Sequence, residues 1–177
     1  SSSDSPIFNE MSTWLDSTTY TIVDEGGTDT LDLSGFTNPQ EVDLRASLET
    51  STTPYASSVG DGNLIGNLMI AAGSSIENAV GGSGNDTLTG NSSDNYLEGS
   101  QGNDRLIGLT GDDTFEGGSG NDIFYGGAGT DQVLLETNPL SHIVTLVDVD
   151  SSQYSIVNIT TGEVDTAYEV ENYKYGS

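Results

Sequence analysis

From Gly81 to Leu134 the chain repeats a nine-residue phrase with no insertion or deletion, and this fixed phase constrains the fold more than any other feature. The six units read GGSGNDTLT, GNSSDNYLE, GSQGNDRLI, GLTGDDTFE, GGSGNDIFY and GGAGTDQVL. Each opens with glycine, at 81, 90, 99, 108, 117 and 126. The sixth position is Asp86, Asp104, Asp113, Asp122 or Asp131, with Asn95 in the second unit. The eighth is always large and apolar: Leu88, Leu97, Leu106, Phe115, Phe124 and Val133. A flexible Gly/Asp linker would hold neither the phase nor the apolar position, so the segment reads as a built solenoid.

Charge is what such a solenoid has to overcome. The 177 residues carry 28 Asp+Glu against three Lys+Arg, a formal charge of −25, with only 33% hydrophobic residues. Self-repulsion on this scale, with little apolar surface to bury, borders on disorder unless cations or a strongly basic partner offset it. Nucleic acid is excluded as that partner, because only Arg45, Arg105 and Lys174 could neutralise phosphates. The absence of cysteine excludes a disulfide framework and thiolate metal sites. No apolar run approaches the roughly 20 residues of a membrane span, and no secretory signal pattern opens the chain. The start at Ser1, with Met only at 11 and 69, reads as a fragment or processed product.

The nonapeptide resembles the GGxGxDxUx calcium-binding repeat of RTX proteins. The resemblance implies an all-β fold, a parallel β-roll (a right-handed β-helix) with flanking β-strand caps. The residue types suit that chemistry. Glycine permits φ > 0 and close backbone approach, so a six-residue loop can turn its carbonyls toward one point. Ca2+ takes six to eight oxygen ligands and accepts carbonyls beside carboxylates. The remaining x-apolar-x is expected to form a three-residue strand with its middle side chain inward. Two nonapeptides make one coil, so residues 18 apart stack. Asp86, Asp104 and Asp122 then line one edge, and Asn95, Asp113 and Asp131 the other. The outward strand positions grow more apolar toward the C-terminus (Ile107, Ile123, Tyr125, Leu134), which predicts that a later segment covers them.

The flanks carry a more specific likeness. Residues 19–80 read as strands broken by turns. YTIVDEGGTDTLDLSGFT, followed by LMIAAGSSIENAVGGSGNDTLTGNSSDNYLEG, resembles the C-terminal domain of serralysin-type (M10) secreted metalloproteases over roughly 19–134. The expected organisation is a lead segment at 1–18, an N-terminal strand cap at 19–80, the six-repeat roll at 81–134 and a C-terminal strand cap at 135–177.

Carried over from that family, Gly27 and Asp29 meet Ser75 and Glu77 around one Ca2+. Asp24, Gly26 and Asp29 match part of another site, whose remaining ligands come from a family segment with no counterpart here. In the roll, the resemblance pairs Gly82, Gly84 and Asp86 with Gly99, Gln101 and Asp104. It also pairs Ser100, Gly102 and Asp104 with Gly117, Ser119 and Asp122. On the other edge Leu109, Gly111 and Asp113 pair with Gly126, Ala128 and Asp131. Asn91, Ser93 and Asn95 pair with Gly108, Thr110 and Asp113, a set one carboxylate short and expected to be the weakest. About four to six Ca2+ follow, neutralising part of the charge. A further site beyond Asp122 would need a seventh repeat, which LETNPLSHI does not supply.

The tail at 135–177 reads as a strand meander (HIVTLVDVD, QYSIVNITTG, EVDTAYEVENYKYG) with a TG turn. DTAYEVENYKY is similar to an element near the ends of other RTX proteins and is expected to cap the apolar stripe. A zinc protease needs several histidines, and the sole histidine, His142, opens a strand pattern and reads as structural. No GxSxG elbow accompanies it. The chain therefore reads as no enzyme, although its parent can be one.

Two classes of function follow. In the first, the resemblance implies a calcium-binding module of a secreted, extracellular bacterial protein. It leaves through a type I secretion machinery unfolded, folds on Ca2+ outside, and assists an attached domain such as a serralysin-like metalloprotease. The alternative is a Ca2+-dependent adhesin, surface-layer or carbohydrate-binding module, with Tyr55 and the loop at 50–63 as a contact surface for a cell-surface or glycan ligand.

Overall fold

The repeat dictates two faces, and the computed structural model has two parallel sheets set against each other. It describes residues 6–7, 20–46, 57–59, 68–135 and 140–175. The strands before the repeats are β1 (Pro6–Ile7), β2 (Tyr20–Ile22), β3 (Thr30–Asp32), β4 (Glu41–Asp43), β5 (Leu68–Ile70) and β6 (Asn78–Val80). The repeats give β7 (Thr87–Thr89), β8 (Tyr96–Gln101), β9 (Arg105–Thr110), β10 (Thr114–Ser119), β11 (Ile123–Ala128) and β12 (Gln132–Leu135). After them come β13 (His142–Asp148), β14 (Gln153–Asn158), β15 (Val164–Tyr168) and β16 (Asn172–Tyr175). Among the described residues no helix is long and apolar enough to cross a membrane.

Successive repeats alternate between the sheets. One sheet runs β1-β3-β6-β8-β10-β12-β16, parallel throughout. The other runs β13-β14-β15-β11-β9-β7-β4, parallel from β15 to β4 and antiparallel in the β13–β14–β15 meander. The register is the 18-residue coil, with Leu97 opposite Phe115 and Leu106 opposite Phe124. β2 and β5 form a separate two-stranded sheet.

Strands β8 to β11 span six residues, not the expected three. The pairing runs on into the loop, with Gly118 opposite Ser100 and Gly127 opposite Leu109. The first loop positions of stacked coils therefore remain in ladder contact.

The eighth repeat positions form the core. Leu97, Phe115 and Val133 face Leu88, Leu106 and Phe124, all buried, and the Phe115 and Phe124 rings lie 5.9 Å apart at the centre. Each such side chain contributes about 1.5–3 kcal/mol by leaving water. The N-terminal strands extend both rows with Leu31, Ala79 and Val42, and β15 closes one row with Ala167.

The C-terminal segment departs from the expected covering role. β15 and β16 join the sheets edge to edge, beside β11 and β12, and so add one more coil. The outer face keeps its apolar side chains. Tyr168 stacks on Tyr125 at 4.9 Å, with the Arg105 guanidinium 4.1 Å from the Tyr125 ring on a neighbouring strand.

Candidate metal centre

Stacking identical loops places each sixth-position carboxylate against the backbone of the coil before it. Along one edge the N–H of Gln40 donates to Asp86 Oδ1 at 2.7 Å, Asp86 to Asp104 Oδ1 at 2.7 Å, and Asp104 to Asp122 Oδ1 at 2.8 Å. Along the other, Asn95 N–H donates to Asp113 Oδ1 at 2.8 Å and Asp113 N–H to Asp131 Oδ1 at 2.9 Å. All six sixth-position side chains are buried.

The carboxylate oxygen left over, or the one amide oxygen of Asn95, divides the loops into two kinds. In the first two, the second residue's own N–H closes on it: Gly82 donates to Asp86 Oδ2 at 2.7 Å and Asn91 to Asn95 Oδ1 at 2.8 Å. In the next four, the second residue turns left-handed, with φ of 79° at Ser100, 81° at Leu109, 95° at Gly118 and 102° at Gly127. Oδ2 of Asp104, Asp113, Asp122 and Asp131 is then buried with no hydrogen-bond donor. Ser100 and Leu109 hold this conformation without being glycine, at a cost of about 1–2 kcal/mol each. The opening glycine has to be glycine because the carboxylate occupies the place of its side chain; a Cβ on Gly99 would collide with Asp104 Oδ2.

A buried carboxylate oxygen with no donor is costly unless it is protonated or faces a cation. Burial pushes Asp104 up to about 7, and Asp113 and Asp122 up to about 6, against the backbone N–H bonds that lower them. Burial also raises Asp86 and Asp131. Among the described residues no three His, Asp or Glu side chains converge to hold a metal by themselves. A cation here would need backbone carbonyls as ligands beside the aspartates, and hard oxygen sets of that kind fit Ca2+.

The N-terminal candidates gather around the 24–29 turn. Asp29 N–H donates to Glu77 Oε2 at 3.0 Å, the same rung as in the roll. Asp24 N–H donates to Ser74 Oγ at 2.9 Å, and Gly26 N–H to Asp24 Oδ2 at 2.8 Å. Gly26 and Gly27 adopt φ of 107° and 139°. Ser75, half-buried, precedes the buried Ile76. Asn95 breaks the ladder on its edge, since its Nδ2 donates to the Glu77 carbonyl at 2.8 Å. His142 is half-buried, with Nδ1 2.8 Å from Ser141 Oγ. Tyr55 and most of the 50–63 loop lie outside the described residues.

Several participants escaped the sequence reading. Both ladders continue past the repeats: Asp122 N–H donates to Asp165 Oδ1 at 2.9 Å, and Asp131 N–H to Glu171 Oε2 at 2.8 Å. The missed signal is a recurring triplet, since Ile76–Glu77–Asn78 and Val170–Glu171–Asn172 both put a Glu on a rung beside a buried aliphatic. A second, exposed ladder uses the fifth position. Asn103 N–H donates to Asn85 Oδ1 at 2.9 Å, and Asn121 N–H to Asn103 Oδ1 at 2.8 Å.

Comparison with known proteins agrees with this architecture. The model of the peptidase M10 serralysin C-terminal family matches residues 8–170. The chain is 48% identical over 67 residues to metalloprotease AprA of Pseudomonas entomophila (strain L48), covering 38% of this chain and 12% of that protein. Serralysin of Photorhabdus laumondii gives the same identity over the same length and shares. Serralysin C of Dickeya chrysanthemi is 46% identical over 67 residues, again 38% of this chain and 12% of the relative. The matched stretch thus spans about an eighth of each relative's length. With the family model running through nearly all the described strands, the chain belongs to the peptidase M10 serralysin C-terminal family.

Proposed function

We propose that this chain is a non-catalytic calcium-binding β-roll module of a secreted bacterial protein. It folds on Ca2+ after export in an unfolded state by a type I machinery, and it stabilises an attached domain, a serralysin-like metalloprotease being the one its relatives suggest. The observation that carries the reading is the set of four buried, donor-less Oδ2 atoms on Asp104, Asp113, Asp122 and Asp131.

Each ion would take the carbonyls of loop positions two and four with the aspartate of one repeat. Carbonyls one and three with the aspartate 18 residues on would complete the shell. Gly82, Gly84 and Asp86 face Gly99, Gln101 and Asp104; Ser100, Gly102 and Asp104 face Gly117, Ser119 and Asp122. Leu109, Gly111 and Asp113 face Gly126, Ala128 and Asp131. The set of Asn91, Ser93 and Asn95 with Gly108, Thr110 and Asp113 is the weakest. Gly27, Asp29, Ser75 and Glu77 hold a cap ion, and Asp24 with Gly26 contributes to another.

The physical logic is linkage. Where calcium is scarce the carboxylates repel one another and the chain stays open for export. At the roughly 10⁻⁴–10⁻³ M affinities of extracellular modules, each ion at 100 times its Kd adds about 2.7 kcal/mol to the folded state. Far-ultraviolet circular dichroism with and without chelator tests this. A β spectrum lost in EDTA and restored by Ca2+ is expected; an unchanged spectrum overturns the reading.

A further inference from the structure

The run His142–Val147 reads HIVTLV, six residues without an acid in a chain that holds 28 Asp+Glu. It forms most of β13, the seven-residue strand on which the second sheet ends. Sheet edges are ordinarily kept from pairing with another chain by a lysine, a proline, a cover or sheer shortness. The opposite edge of the same sheet is covered, since Glu41 of β4 exchanges backbone hydrogen bonds with Ser58 at 2.9 and 2.7 Å. In the first sheet, the edge strand β1 has two residues and β16 carries Lys174. Among the described residues, β13 is the one long edge with none of these devices. Its bulge, between Leu146 and Asp148, lies at the end of the strand.

The backbone and the side chains of β13 both face outward to a partner. Ile159 N–H donates to the Ser141 carbonyl at 2.7 Å, and Ile143 and Thr145 follow in the same register opposite Val157 and Ser155. Bonding alternates along an antiparallel strand, so the N–H and C=O groups of Val144 and Leu146 point to the open side. β13 and β14 also extend past β15, which shares the last coil with β16. Leu146 lies opposite Tyr154, on the side of the sheet that buries Ile156, yet it is 46% exposed. Ile143, on the outer side, is 53% exposed and Val147 59%.

We propose that β13 pairs antiparallel with β13 of a second copy of this chain, about a two-fold axis through Thr145. The strand is self-complementary in that register. Val144 and Leu146 exchange backbone hydrogen bonds across the axis, Ile143 lies opposite Val147, and Thr145 opposite itself. Charge favours the same arrangement. Asp148 and Asp150 of each copy fall at the His142 end of the other, whereas a parallel pairing would set Asp148 against Asp148. The two second sheets become one continuous sheet. Only a short ladder is shared, so the contact belongs with the weak interfaces below about 1,200 Å². The inference concerns the C-terminal cap and does not depend on the calcium-binding reading.

Sedimentation equilibrium of the whole chain in excess calcium tests the association. The mean mass is expected to rise toward twice the monomer mass with concentration. Ile143→Lys, a change at an exposed side chain, is expected to weaken the dimer about tenfold or more. The register is tested by Thr145→Cys, since the chain has no cysteine of its own. Residues facing across a non-hydrogen-bonded pair lie about 4.5 Å apart between Cα atoms, within disulfide reach. In oxidised glutathione this variant is expected to form a covalent dimer at least about tenfold faster than Thr160→Cys, an exposed position away from the β13 edge. A chain that stays monomeric at every concentration overturns the proposal. So does a dimer that Ile143→Lys leaves unchanged, or one in which Thr145→Cys cross-links no faster than Thr160→Cys.

Discussion

The first two loops of the roll and the four that follow have nearly the same sequence and solve the same problem differently. At 81–86 and 90–95 the buried side chain is satisfied within its own loop, by the N–H of Gly82 or Asn91. In the four loops from Ser100 onward the second residue is left-handed, its N–H makes no bond to Oδ2, and Oδ2 faces no donor. One backbone torsion therefore separates a loop closed by its own amide from a loop whose carboxylate oxygen must be protonated or face a cation. The closed loops adjoin the N-terminal cap, where Asn91 Nδ2 donates to the Ile76 carbonyl at 2.8 Å. The donor-less loops extend from there to the C-terminal coil.

The comparison is broken most severely in the middle of the donor-less loops. Asp104 serves two stacked coils, accepting from Asp86 N–H while its own N–H donates to Asp122. Asp104→Asn is expected to cost about 3–5 kcal/mol at saturating calcium, the scale of unpairing a buried charge, as read by chemical denaturation. A loss below 1 kcal/mol would show that its carboxylate faces no cation.

Acid should substitute for calcium, to a degree. In the cation-free fold burial raises Asp104 and Asp165 to about 7 and Asp113 and Asp122 to about 6, from 3.8. The folded form then holds more protons than the unfolded chain between about pH 4 and 7. Its stability falls as pH rises through that window and is fully present only below it. In EDTA, lowering the pH from 7.5 to 4.5 is expected to restore β signal. With calcium present the sign reverses, because protons compete for the same oxygens. A pH-independent spectrum in EDTA would contradict the assignment of these groups.

Asn95→Asp sharpens the comparison by supplying the missing carboxylate on its edge. It is expected to lower the calcium midpoint of folding about threefold, through added ligand charge. An increase would mean that the Asn95 Nδ2 bond to Glu77 outweighs the gain. The smallest effect is at Leu109, left-handed at φ 81°. Leu109→Gly is expected to stabilise the calcium-loaded form by about 1 kcal/mol, measured by thermal melts. Destabilisation would show that the leucine side chain contributes more than its strain.

The roll was legible because stacking imposes one geometry on every coil: a Cβ on the opening glycine would meet a carboxylate, and the eighth residue must fill the interior. The length of β8 to β11 was not, since pairing of residues such as Ser100 with Gly118 depends on backbone contacts between coils, not on side-chain pattern. Asp165 and Glu171 were hidden by distance, 43 and 40 residues from the amides they accept. Periodicity ends where the β13–β14 hairpin interrupts it, and at Glu171 the residue type changes as well. The division between the two kinds of loop lies in φ, which Ser100 and Leu109 conceal by not being glycine.

The most direct test is a crystal structure of the calcium-loaded chain with anomalous data. Peaks are predicted within about 2.3–2.6 Å of Oδ2 of Asp104, Asp113, Asp122 and Asp131, with the interior position beside Asn95 the least occupied. If those four oxygens instead contact only water or protein, with calcium confined to the outer surface, the account is contradicted.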